Sequence, residues 1–289
     1  SKHCIVLNSK VNLGYMNTLT TKNNINNPFK VYIKDTYKNE EILLKITYTD
    51  EQTGYVANQY IKFTVNPDFL TVSTDEFKMT VAGNSNIGYR DFNVGQGKGF
   101  VYKDYKSILY TGGLVVGVDT ERVSDNIYGN NSVDMDFKTS VVPYKNISPY
   151  APYIDKVEGE FDDIIDNNPY VLNIRVKFSI YARNLENDRK YAILNYKIHN
   201  CSDISYRNLY VGLYADWDVE NPVKNVSYTD TVNRYIYTYS LTGGPYVAIK
   251  ALSKFPINYY SFDNNGENNS IMVLSNFTSK YKYLALSSN

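Results

Sequence analysis

The stretch Val171–Asn184, VLNIRVKFSIYARN, decides the fold class. Leu172, Ile174, Val176, Phe178 and Ile180 fall on one side of it, and Asn173, Arg175, Lys177 and Ser179 on the other. Alternation of period two over so many positions marks a strand with one face in a core and one in water. The next apolar run repeats the pattern, with Ala192, Leu194, Tyr196 and Ile198 on one side. A third puts Leu209, Val211, Leu213, Ala215, Trp217 and Val219 together, which assigns the sole tryptophan to a core face. Turn-forming clusters at 184–188 and 201–208 separate the three, the arrangement of long antiparallel strands in series.

Further out, the rhythm changes. Phe29–Lys34, Glu41–Thr49 and Tyr60–Val65 are shorter strands at close spacing, joined by Asn-rich or Gly-containing loops. That spacing is the cadence of a small immunoglobulin-like sandwich. Val65-Asn66-Pro67-Asp68 interrupts it, and longer strands begin near Thr74. The sequence therefore predicts an all-β protein: an immunoglobulin-like sandwich over 1–72, with an N-terminal strand at Cys4–Leu7, then a larger antiparallel β-sandwich over 73–289. Helical spacing is confined to one short segment around Ser279–Leu286.

Composition agrees. Of 289 residues, 43% are hydrophobic and 21% charged, ordinary values for a folded chain, but 30 are tyrosine. Tyrosine favours a pleated, half-buried surface. Thirty basic residues balance thirty acidic ones and none of the basic residues cluster, which excludes nucleic acid as a partner, since its backbone demands concentrated positive charge. There is no apolar run long enough to span a membrane. A neutral, tyrosine-rich chain suits a protein that is tethered, part of a longer polypeptide, or assembled with copies of itself.

The search for chemistry finds little. His3 and His199 stand apart, with no ligand spacing for zinc and no partner that would mark a catalytic triad. Gly95-Gln96-Gly97-Lys98-Gly99 leads into the strand-like Phe100-Val101-Tyr102, whereas a phosphate loop leads into a helix, so it reads as a turn or bulge. Asp216 and Asp218 flank Trp217 and share a strand face. They read as acceptors of loop amides at a strand end, or as two ligands of a calcium site, the one cofactor the sequence offers. Asp263–Asn268, DNNGEN, is a second loose acidic cluster. Tyr235, Tyr237 and Tyr239 line one face of a strand and could stack on sugar rings or cover a partner. Cys4 and Cys201 are either two free thiols or one disulfide closing a long loop.

Several stretches, taken in order, carry a resemblance. They are Val65-Asn-Pro67, Ile87-Gly-Tyr-Arg-Asp-Phe92, Gly99-Phe-Val-Tyr102 and Leu109-Tyr-Thr-Gly-Gly-Leu-Val-Val-Gly117. Asn208-Leu-Tyr-Val-Gly-Leu-Tyr-Ala-Asp-Trp-Asp-Val219, Tyr235-Ile-Tyr237 and Gly244-Pro-Tyr-Val-Ala248 complete the set. From residue 60 to 289 the chain resembles the non-catalytic C-terminal β-sandwich region of secreted bacterial subtilisin-like serine proteases and related surface proteins. The resemblance implies an extracellular or cell-surface protein without enzymatic activity, because the catalytic domain of such proteases lies elsewhere. Three functions are expected in descending order: a self-assembling filament, sheath or layer subunit; an accessory segment of a secreted protease; and a glycan-binding adhesive module.

Overall fold

The structure, a computed structural model, describes residues 4–34, 40–65, 67–89, 96–129, 132–146, 154–165, 168–262 and 277–288. It is an all-β protein whose described sheets are antiparallel, with one short α-helix among the described residues. Two compact units divide it, Ser1–Pro67 and Asp68–Asn289. The division lies at the proline break and not at residue 72, because Phe69–Ser73 is a strand bonded along its length to Phe77–Ala82 of the second unit.

In the first unit, β1 (Cys4–Asn8) pairs with β2 (Lys30–Ile33), and β3 (Glu40–Thr49) pairs with β4 (Val56–Val65). The β3–β4 register runs unbroken from Glu40↔Val65 to Thr49↔Val56. Asp50 sets the turn: its carboxylate accepts the N–H groups of Gln52 and Thr53 and the Thr53 hydroxyl. The described residues thus give this unit two strand pairs, fewer than the seven strands of an immunoglobulin constant-type sandwich. Its immunoglobulin likeness is one of strand spacing.

The second unit holds the sandwich. Its first sheet takes β5 (Phe69–Ser73), β6 (Phe77–Ala82), β7 (Asn86–Gly88), β8 (Phe100–Tyr102), β9 (Leu109–Gly117) and β10 (Val123–Ser124). A small ribbon follows, β11 (Tyr128–Gly129) with β12 (Ser132–Val133). The second sheet is β13 (Lys138–Lys145), β14 (Ile154–Asp162), β15 (Ile174–Arg183) and β16 (Ala192–Asn200), in that order. The chain then returns to the first sheet as β17 (Tyr210–Trp217), which pairs with β9 from Tyr210↔Gly117 to Trp217↔Leu109. A third sheet, β18 (Asn225–Asp230), β19 (Tyr235–Ser240) and β20 (Gly243–Lys250), comes next, and α1 (Ser279–Ser287) closes the described chain.

Strand alternation builds the main core. Ile174, Val176, Phe178, Ile180 and Ala182 of β15 are all essentially buried, and face Val72, Met79, Val81, Leu114 and Val116 of the first sheet. Phe137, Phe161 and Phe178 pack ring against ring, with centroids 4.8 and 6.0 Å apart. The outer face of the second sheet carries opposed charges, with Arg175 3.3 Å and Lys177 3.6 Å from Glu160 across the β14–β15 pair. Asp163 is a buried carboxylate at the end of β14. It accepts the Leu172 and Ile174 N–H groups at 2.8 and 2.7 Å and the Ser124 hydroxyl at 2.6 Å, and so fixes the entry to β15.

Candidate functional site

The third sheet is built by two turns. Asp230 accepts both the backbone N–H and the side-chain amide of Asn233, each at 2.8 Å, which folds β18 back onto β19. Gly243 and Gly244 supply the positive φ values, +113° and +97°, that start β20. A side chain at Gly244 would meet Glu220 Cγ at 2.5 Å, so this turn also needs the room that glycine leaves.

Alternation divides the sheet into two faces. Thr238, Ser240 and Val247 are buried, and Val247 packs with Ile108 and Val219 while the Ser227 and Thr238 hydroxyls bond at 2.7 Å. The outer face is tyrosine. Tyr235, Tyr237 and Tyr239 stand on β19 as read from the sequence, and Tyr228 of β18 and Tyr246 of β20 join them. Tyr228 lies 5.8 Å from Tyr237 and 6.2 Å from Tyr239, centroid to centroid, with Tyr239 and Tyr246 stacked at 4.7 Å. Tyr228 remains 53% exposed and Tyr246 69%. Partial desolvation, with Asp230 close by, raises the Tyr235 phenol above its ordinary pKa. Desolvation and the Tyr228 hydroxyl do the same for Tyr239. The face is therefore rich in phenol donors and acceptors, with Asp230 and Lys250 flanking it at the Tyr235 end.

Asp216 and Asp218 flank Trp217 where β17 of the first sheet ends. Asp216 is mostly buried on β17 opposite Thr111, and burial first, then the Asp218 charge, pushes its carboxyl up to about 6. Burial raises Asp218 as well, and its own N–H donates to the Ile108 carbonyl at 3.0 Å. Among the described residues no group of three or more His, Cys, Asp or Glu side chains is placed to hold a metal, so calcium here would have two carboxylates and need its remaining oxygens from backbone and water. The acidic stretch 263–268 lies outside the described residues.

Trp217 is half-buried, not a full core residue: its indole meets the Phe100 ring edge-on at 5.4 Å, beside Ile108 and Val219. Val211, expected on the same core face, is 48% exposed, while Tyr214 on the opposite face packs against Phe262 and Phe277. Helix α1 covers that opposite face, laying Leu286 over Gly212 and Gly117, so both faces of β17 are partly covered. Cys4 is half-buried and Cys201 exposed, and both are free thiols. His199 is exposed on β16 opposite Arg175, with no nucleophile paired to it among the described hydrogen bonds. No described helix is long and apolar enough to cross a membrane. Compared with protein-family models, curated proteins and solved structures, the chain matches none.

Proposed function

We propose that this chain is a non-catalytic structural protein of an extracellular surface, a subunit that assembles with copies of itself through the tyrosine face of β18–β20. The observation that carries the reading is that face. Five tyrosines gather on one face of a sheet whose other side is anchored on buried Val247, with Tyr228 and Tyr246 exposed and the other three half-buried. Tyrosine gives large contact area at low conformational-entropy cost, and a neutral phenol surface is complementary to a second copy of itself. The formal net charge of zero removes long-range repulsion between copies. The extracellular location rests on the resemblance to secreted and surface proteins.

The same face supports a glycan-binding module less well. Stacking on a sugar uses free ring faces, whereas Tyr239 and Tyr246 spend a face on each other at 4.7 Å. The accessory-segment reading rests on the resemblance alone, and a subtilisin domain encoded in the same reading frame would decide for it. The test of assembly is sedimentation and electron microscopy of the intact chain beside a Tyr237→Ser/Tyr239→Ser/Tyr246→Ser variant. Ordered assemblies should form from the parent and be lost in the variant, whose melting temperature stays close to the parent's. A parent that remains monomeric at high concentration sinks the proposal, and glycan-array binding lost in the variant would move it to the adhesive reading.

A further inference from the structure

Helix α1 carries a lysine where a surface helix would place an apolar residue. The Lys282 side chain is 1% exposed, and its Nζ donates to both oxygens of Asp125, at 2.7 and 2.9 Å, and to Asp134 Oδ2 at 2.7 Å. The Phe277 ring lies 5.7 Å from the same nitrogen. Asp125 is as buried as the lysine and cannot turn away: Oδ1 accepts the Ile127 N–H at 3.0 Å, and its own N–H donates to Asp136 Oδ2 at 3.1 Å. Next to it, the Asn126 side chain is clipped to both backbone groups of Phe137, at 2.7 and 3.0 Å. An amine and a carboxyl are thus held together by the fold, dry and in one orientation, the condition under which an intramolecular reaction gains most over its counterpart in water.

We propose that Lys282 and Asp125 join through a side-chain amide, with Asp134 as the group that moves the proton. The reaction is a condensation and neither partner is oxidised. A proton passes from the Lys282 ammonium to the Asp125 carboxylate along their hydrogen bond, leaving a neutral amine and a neutral acid with no change in net charge. The Nζ lone pair adds to Asp125 Cγ, one Nζ–H passes to Asp134, and Asp134 returns it to the departing oxygen. The C–O bond breaks, one water leaves, and Asp134 is restored. Asp134 is 35% exposed, which gives the water a way out.

The electrostatics keep the pair charged at neutral pH but narrow the gap to an uncharged acid in this cluster. Burial pushes Asp125 up to about 6 in spite of Lys282, and pushes Asp136 up to about 7. Burial also works against the ammonium of Lys282, although Asp125 and Asp134 together hold its proton on. That balance makes the step a slow, single event that follows folding, and no such bond can form in the unfolded chain, where both groups are solvated and apart.

Mass spectrometry of the full chain, denatured after folding, tests this. The expected intact mass is one water below that required by the sequence, and digestion should release a branched peptide joining the segments that contain Asp125 and Lys282. Lys282→Arg keeps the positive charge but cannot form the amide, and should restore the full mass. Asp134→Asn should slow the loss of water in a time course begun at refolding. A parent of full sequence mass overturns the proposal without recourse to any variant. So does a missing water that maps elsewhere, as it would for a cyclised aspartate, and so does unchanged kinetics in Asp134→Asn.

Discussion

At the scale of single residues, the acids and the tryptophan are where sequence and structure diverge most. Asp216 has a folded pKa of about 6 against an ordinary 3.8, raised by burial and by Asp218. Between those values the folded state binds more protons than the unfolded state, so this residue's contribution falls as pH rises through that window and is unfavourable at neutral pH. Asp216→Asn should therefore stabilise the protein by about 1–3 kcal/mol at pH 7, a gain that disappears below pH 4. Urea melts at both pH values check it. If Asp216 and Asp218 hold calcium, the ion would supply the missing countercharge, and calcium would raise the melting temperature of the parent at pH 7 but not of Asp216→Asn. Trp217→Ala should cost about 2 kcal/mol, less than a full core truncation, because part of the indole is already in water. Alternation gave Trp217 a core face but not its depth, since the register shifts between Asp216 and Trp217 and depth depends on what covers each end of the strand. The tethered Lys282 was hidden for a related reason: the residues that satisfy it lie far off along the chain, and nothing local marks a lysine as buried.

At the scale of elements, β15 was legible because its sheet has one covered face and one wet face, the condition under which period two reports burial directly. The inner row Leu172 to Ile180 and the outer row Arg175, Lys177 and Ser179 stand as the sequence places them. Helix α1 was found within a residue of its end. β17 misled because α1 lies on one face while the other is covered only towards Val219. Tyr228 could have been added to the tyrosine row by counting back from the turn at 231–234, which pairs it with Tyr237. Tyr246 could not, because an irregularity between Thr238 and Ser240 shifts the β19–β20 register. Gly159 gives a test at this scale. It pairs with Phe178, and an added Cβ would come within 2.5 Å of that ring and 3.1 Å of the Val141 carbonyl. Gly159→Ala should thus cost about 1–3 kcal/mol by overpacking, although alanine normally suits a strand better than glycine. Thermal melts read the outcome, and an unchanged melting temperature would show that the Phe178 ring can move aside.

At the scale of the whole molecule, the units Ser1–Pro67 and Asp68–Asn289 are internally bonded, and the main hydrophobic core belongs entirely to the second. The fragment 68–289 should fold alone, with a melting transition within a few degrees of the same transition in the full chain. A fragment that stays unfolded would mean that the first unit completes the second. The Lys282–Asp125 contact closes a circuit of 157 residues, running from β10 through the second sheet and the tyrosine sheet to α1. With the proposed amide formed, a pull applied to the C-terminal side of α1 would be delivered to Asp125 and the adjoining strand β10, and through it to β9, the strand that β17 flanks along its length. The intervening strands, tyrosine face included, hang on that circuit without carrying its tension. A subunit loaded in this way could be stretched along its backbone while the surface it presents to a neighbour kept its shape.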